Sequence, residues 1–160
     1  MRNVLLCVAG ALAGALAAVS VLTVSVASHE SRFVPMLGDD VVIHIMNIAQ
    51  RHLPEGRAED ATASDDRSHP ITLEDGRYVV DIAAASAAAA WCGLDWQDGN
   101  FRPMMALERA KGIRTEQALA YIDVLHGVAM DLFETDLRSA GACSERRRTE
   151  VAQFIAERWN

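Results

Sequence analysis

Aromatic side chains are scarce in this 160-residue chain, at 6 %. Whatever core it builds is therefore small and aliphatic. A basic surplus is also missing: 22 acidic residues oppose 15 basic ones, for a formal charge of −7. That balance argues against nucleic acid, because phosphate binding needs clustered Lys and Arg to displace counterions. No cofactor or metal signature stands out. There is no C-x-x-C-H for haem, no EF-hand spacing with its glycine, and no histidine pair at finger spacing beside the cysteines. A nucleophile, base and oxyanion donor cannot be assembled from motifs, so a non-enzymatic protein is expected.

The hydrophobic fraction of 51 % excludes a wholly disordered chain. Much of it lies at the start. Met1–Ala27 carries one charge, Arg2, followed by an uncharged run from Val4 to Ala27. A basic n-region, an apolar stretch and Ser25-Val26-Ala27 before Ser28 make a secretory signal with a cleavage site. The run is also long enough to span a bilayer, so an uncleaved signal anchor is the rival reading, and residues 4–27 would then contact the membrane. Either way the remainder is exported. Without residues 1–27 it has 14 basic and 22 acidic residues, a net charge of −8. Two cysteines remain, Cys92 and Cys143. In an oxidising compartment the simplest outcome is one disulfide, with a metal site as the less economical alternative.

Residues 28–53 read as an N-terminal segment with a helix from Asp39 or Asp40, either of which can cap it, to about Leu53. The β-branched run Val41-Val42-Ile43-His44-Ile45 leaves a strand open. Residues 54–76 read as an acidic linker and turn, in which Asp75-Gly76 forms either a small hairpin or the lead into a helix near Arg77. Residues 77–160 form the disulfide-stapled domain. Ala83–Ala90 is helical by composition and ends at Trp91-Cys92, with Gly93 as a C′ residue. After a loop over Leu94–Gly99, a short helix spans about Arg102–Lys111, with Pro103 in its first turn and Gly112 as its stop. Thr115 caps the clearest helix, Glu116 to about Ser139, whose apolar stripe is Ile122, Leu125, Ala129, Leu132 and Phe133. Gly141 ends it, and Cys143 leads into a last helix with Val151, Phe154, Ile155 and Trp159. The expected fold class is all-α: a bundle of about four helices stapled once, preceded by the signal or anchor helix and an extra helix on an acidic linker.

Among titratable residues, His126 is the candidate pH sensor or interaction residue. Asp123 and Met130 are within helical reach of it, although a buried helix histidine is the simpler account. His44 and His52 lie two turns apart, too far for a usual helical ligand pair. Arg146, Arg147 and Arg148 open the final helix, where positive charge opposes the macrodipole. A partner carboxylate or an anionic lipid is one reading of them; a solvated face balanced by Glu145 and Glu150 is the other. Trp91, Trp96 and Phe101 are expected to pack around the disulfide.

Trp91-Cys92, Phe101-Arg102-Pro103, Asp123-Val124 with Gly127-Val128-Ala129, Cys143 and a closing helix to Trp159 occur in an order similar to that of the Hde family of acid-stress periplasmic chaperones. The resemblance covers residues 86–160. It implies a small exported all-helical fold with one disulfide, a homodimer, and acid-triggered exposure of apolar surface that holds unfolding client proteins. The chain departs from the family in lacking a Lys-rich tail and in carrying Ser28–Ala85. The expected function is a non-enzymatic exported binding protein acting as an acid-activated holdase. The alternative is a membrane-anchored accessory subunit of an envelope complex.

Overall fold

The computed structural model describes residues 37–53 and 69–160. The signal or anchor segment and most of the acidic linker lie outside the described residues. The described residues form five α-helices: α1 (Asp39–Arg51), α2 (Leu73–Trp91), α3 (Arg102–Ala110), α4 (Glu116–Ser139) and α5 (Glu145–Arg158). A wide π-helical turn, Gln97–Phe101, runs directly into α3. Among the described residues there is no strand, and none of the helices is long and apolar enough to cross a membrane.

The β-branched run at 41–45 is helical. Val42, Ile45, Met46 and Ala49 are buried at helical spacing, and this burial outweighs β-propensity. Gly38 is the N-cap, and Asp39 and Asp40 occupy the first turn, where carboxylates complement the macrodipole. The Asp75-Gly76 hairpin does not form. Thr72 caps α2 by accepting from the Asp75 amide at 3.1 Å, and the Asp75 side chain accepts in return from the Thr72 amide. This capping box starts the helix four residues before Arg77. Gly76 then sits inside the helix because α1 crosses there: a Cβ at Gly76 would lie 2.4 Å from Met46 Sδ.

α2 is the centre of the bundle. Val79, Val80 and every residue from Ile82 to Ala89 are buried. A helix apolar on all sides is one enclosed on all sides, and alanine lets neighbours approach from each direction. α1, α3 and α4 bury one larger core against it, built from Val42, Ile45, Met46, Ile82, Met104, Met105, Tyr121, Ile122 and Leu125 among others. The extra N-terminal helix is thus part of the main core. The Tyr121 hydroxyl also donates to the Met46 carbonyl at 2.9 Å. α5 covers a second, smaller cluster with Ala88, Ala89, Cys92, Val151 and Ile155.

The helix ends follow local chemistry. Gly93 adopts φ 68° after α2, with the Leu94 amide bonded back to Ala89, and Gly112 adopts φ 67° after α3. Thr115 and Ser144 accept from the Ala118 and Arg147 amides to start α4 and α5. In the α4 stripe Leu132 is an exception, since it is 44 % exposed.

Candidate functional site

Cys92 and Cys143 form the disulfide, with their Cα atoms 5.1 Å apart. It ties the end of α2 to the start of α5. Such a bond is the covalent chemistry of an oxidising, exported environment. Closing a loop of sequence separation 51 contributes about 4 kcal/mol in the chain-entropy account.

The bundle also encloses a chain of polar side chains. His126 on α4 is 1 % exposed, and Ser86 on α2 and Asn100 in the wide turn are fully buried. Ser86 Oγ lies 3.0 Å from His126 Nε2. Asn100 Nδ2 donates to Ser86 Oγ at 2.9 Å and to the Ile82 carbonyl at 2.8 Å. Asn100 Oδ1 accepts from Trp159 Nε1 at 3.1 Å, just past the end of α5. One hydrogen-bonded path therefore joins α4, α2, the wide turn and α5. Asn100 donates to Ser86 Oγ, and in the tautomer whose Nε2 carries no proton the Ser86 hydroxyl donates in turn to His126 Nε2.

The imidazole is sealed by aromatics. Trp96 stacks on it at 5.8 Å between ring centroids, and Phe101 tilts against it at 4.7 Å. These two rings thus cluster on His126, with Trp96 also packed against the cluster that holds Cys92, and Trp91 donates from Nε1 to the Gly141 carbonyl at 2.8 Å in the segment before Cys143. Burial pushes the His126 pKa down to about 4. The side chains in contact with the ring, Ser86, Trp96 and Phe101, carry no charge to compensate an imidazolium.

A second polar centre lies at the α2–α3–α4 corner. Arg114 donates from Nε to Glu108 at 2.9 Å and from Nη1 to Asp75 at 3.0 Å, with Nη2 also on Asp75. Lys111 pairs with Glu108, whose side chain is 1 % exposed. The Arg114 hydrogen bond holds the Asp75 carboxyl down at about 2, against an opposing push from burial.

Asp123 does not join His126. The buried positions Ala118, Tyr121, Ile122, Leu125, His126, Ala129 and Met130 define the inner face of α4, and Asp123 falls outside it, exposed. Arg146 and Arg147 lie 3.8 and 3.6 Å from Glu150, the acidic neighbour on their own helix, and Arg148 is exposed. His44 on α1 and His52 at its C-cap are both exposed. Among the described residues no group of three or more His, Cys, Asp or Glu side chains is placed to hold a metal ion.

Sequence reasoning missed Ser86, Asn100 and Trp159 in the first centre, and Asp75, Glu108 and Arg114 in the second. The available signal was a single serine breaking an alanine run. A Ser–His contact of 3.0 Å has the form of a nucleophile and its base. Here Trp96 and Phe101 cover His126 and Ser86 is fully buried, so a substrate would reach Ser86 only if the helices parted. No family model, curated protein or solved structure was found to match the chain.

Proposed function

We propose that this chain is an exported, non-enzymatic helical binding protein that acid loosens, acting as a periplasmic holdase for unfolding proteins. The observation that carries this reading is the sealed path from His126 through Ser86 and Asn100 to Trp159. A neutral imidazole is required at its head. Protonation makes both ring nitrogens donors and places a charge among Trp96 and Phe101, so acid strains the contact that seats the end of α5. Lifting α5 would bare Ala88, Ala89, Val151 and Ile155, an apolar surface suited to unfolded segments. Acid also protonates most of the 22 carboxylates and reverses the net negative charge, which weakens association between copies. The disulfide survives acid and keeps α5 attached. The resemblance of residues 86–160 to the Hde chaperones supports the same reading, with a homodimer as the resting form.

Light scattering from an aggregating client protein at pH 2–3 and at pH 7 tests it. Suppression is expected at low pH and weaker or absent at pH 7. No suppression at low pH would refute the holdase. The uncharged run Val4–Ala27 favours a second reading, a membrane-anchored accessory subunit. Mass spectrometry of the mature N-terminus separates the two, because a start at Ser28 removes the anchor.

A further inference from the structure

The two cysteines are not equally accessible. Cys92 follows the last turn of α2 and is 5 % exposed. Cys143 lies in the irregular segment between α4 and α5 and is partly exposed. Its neighbours Gly141, Ala142 and Ser144 are small and exposed. An open cleft of about 510 Å³ runs beside the bond, lined by Trp91, Gly93, Arg138, Ala142 and both cysteines. Two glycines border it. Gly93 and Gly141 have φ 68° and 118°, and a Cβ at either position would touch nothing within 4 Å. The disulfide is thus reached from solvent without moving a helix, along a stretch of chain with little side-chain bulk.

We infer that this cleft is a docking site for a dithiol oxidoreductase of the Cys-X-X-Cys type, which opens the Cys92–Cys143 bond in the folded protein by attack on Cys143. Thiol–disulfide exchange requires a thiolate to approach one sulfur, and only the Cys143 side presents an exposed, unfolded-like segment for a partner chain to lie against. The partner's thiolate attacks Cys143 Sγ. A mixed disulfide forms there, the Cys143–Cys92 bond breaks, and Cys92 leaves as a thiolate that takes a proton from water. The partner's second thiol, as thiolate, then attacks its own half of the mixed disulfide. Cys143 is released as a thiol, and the partner's dithiol is oxidised to a disulfide by two electrons. The product loses the cross-link between α5 and α2, leaving α5 seated on α2 by the Val151 and Ile155 cluster, the Trp91–Gly141 hydrogen bond before its start and Trp159–Asn100 at its end. The bond is therefore an address for redox control of α5, independent of acid and of the holdase reading.

The experiment uses the folded, oxidised protein and a thioredoxin whose second active-site cysteine is replaced by serine, so that the mixed disulfide accumulates. Iodoacetamide added at the quench caps the freed thiol, and peptide mass spectrometry locates both modifications. The expected result at pH 7 is an adduct on Cys143 with Cys92 alkylated, formed at a rate that does not change with low concentrations of urea. An adduct on Cys92 overturns the proposal. So does a rate that follows the unfolded fraction as urea rises, since the bond is then reached only by unfolding. An Ala142→Trp substitution, which fills the cleft from an exposed position, should slow adduct formation at least tenfold at unchanged melting temperature. An unchanged rate in that variant also overturns the proposal.

Discussion

The sharpest quantitative consequence of the buried network concerns His126. Its pKa is about 4 in the folded chain, against 6.5 for a free imidazole. As pH falls below 6.5, the unfolded chain takes up this proton before the folded one does. The stability that the neutral ring confers is therefore complete above pH 6.5 and lost progressively down to about pH 4. At about 1.4 kcal/mol for each pH unit between the two values, the loss amounts to about 3 kcal/mol. In a protein of this size such a change is a large part of the total.

Replacing His126 with Gln keeps an acceptor for the Ser86 hydroxyl and removes the titration. Urea unfolding of both proteins, followed by circular dichroism from pH 7 to pH 4 at fixed ionic strength, isolates the effect as a difference. The partly buried His69, which burial also pushes down, contributes with the same sign to both proteins and cancels. The wild type should lose about 3 kcal/mol more than the variant across this window. An NMR titration of the His126 ring should show a midpoint near 4. Parallel stability profiles, or a midpoint near 6.5, would refute the reasoning, because burial would then not be holding the ring neutral.

Other consequences are simpler. Arg114→Leu leaves the Glu108 carboxylate, 1 % exposed, with Lys111 as its remaining ion-pair partner. A loss of about 3 kcal/mol in urea unfolding is expected, together with a rise of the Asp75 pKa from about 2 in a carboxyl NMR titration. Gly127 lies in the middle of α4 with nothing within 4 Å of where a Cβ would stand. Gly127→Ala should therefore raise stability by about 1 kcal/mol, read as a higher melting midpoint. Replacing both Cys92 and Cys143 with Ser should cost about 4 kcal/mol, measured as a lower urea midpoint with an intact helical spectrum at low denaturant.

The features legible in the sequence were those set by a few consecutive residues. Thr115, Pro103, Gly93 and Gly112 each act on the turn they belong to, so their roles could be read without knowing the rest of the fold. Asp75-Gly76 misled for the opposite reason. The pair has turn chemistry, but Thr72 forms a capping box with Asp75, and Gly76 is chosen by Met46 on another helix. The alanine run showed a helix, yet only the assembled bundle shows why it is alanine, since α2 is enclosed on all sides. The buried network was illegible because its members are far apart in the chain: Ser86 and His126 are 40 residues apart, and Asn100 and Trp159 are 59 apart. Asp123 looked close to His126 at three residues, but that spacing does not fix which of the two faces inward. The burial of Tyr121, Ile122, Leu125 and Ala129 fixes it.

The two polar centres respond to acid in separate windows, which gives loosening an order. The His126 contribution disappears between pH 6.5 and about 4. Asp75 behaves as a carboxylate with a depressed value: its contribution is present above 3.8 and lost as pH falls through about 2. Asp81 on α2 runs the other way. Burial raises its pKa despite the nearby cations Arg158 and Arg77, so the folded state holds its proton more readily and acid favours it there. Asp81 therefore offsets part of the loss at the α2–α5 contact. Near pH 4 the His126 path is strained while Arg114 still binds Asp75. α5, which buries only Val151 and Ile155 fully, is then the element with least to hold it, apart from its disulfide. Hydrogen exchange at pH 4, corrected for intrinsic rates, should show α5 amides opening ahead of those of α2 and α4. His126→Gln should restore their protection, and Arg114→Leu should not selectively expose α5. Uniform opening of all five helices at pH 4 would mean that the two centres are not separable, and that acid acts through net charge instead.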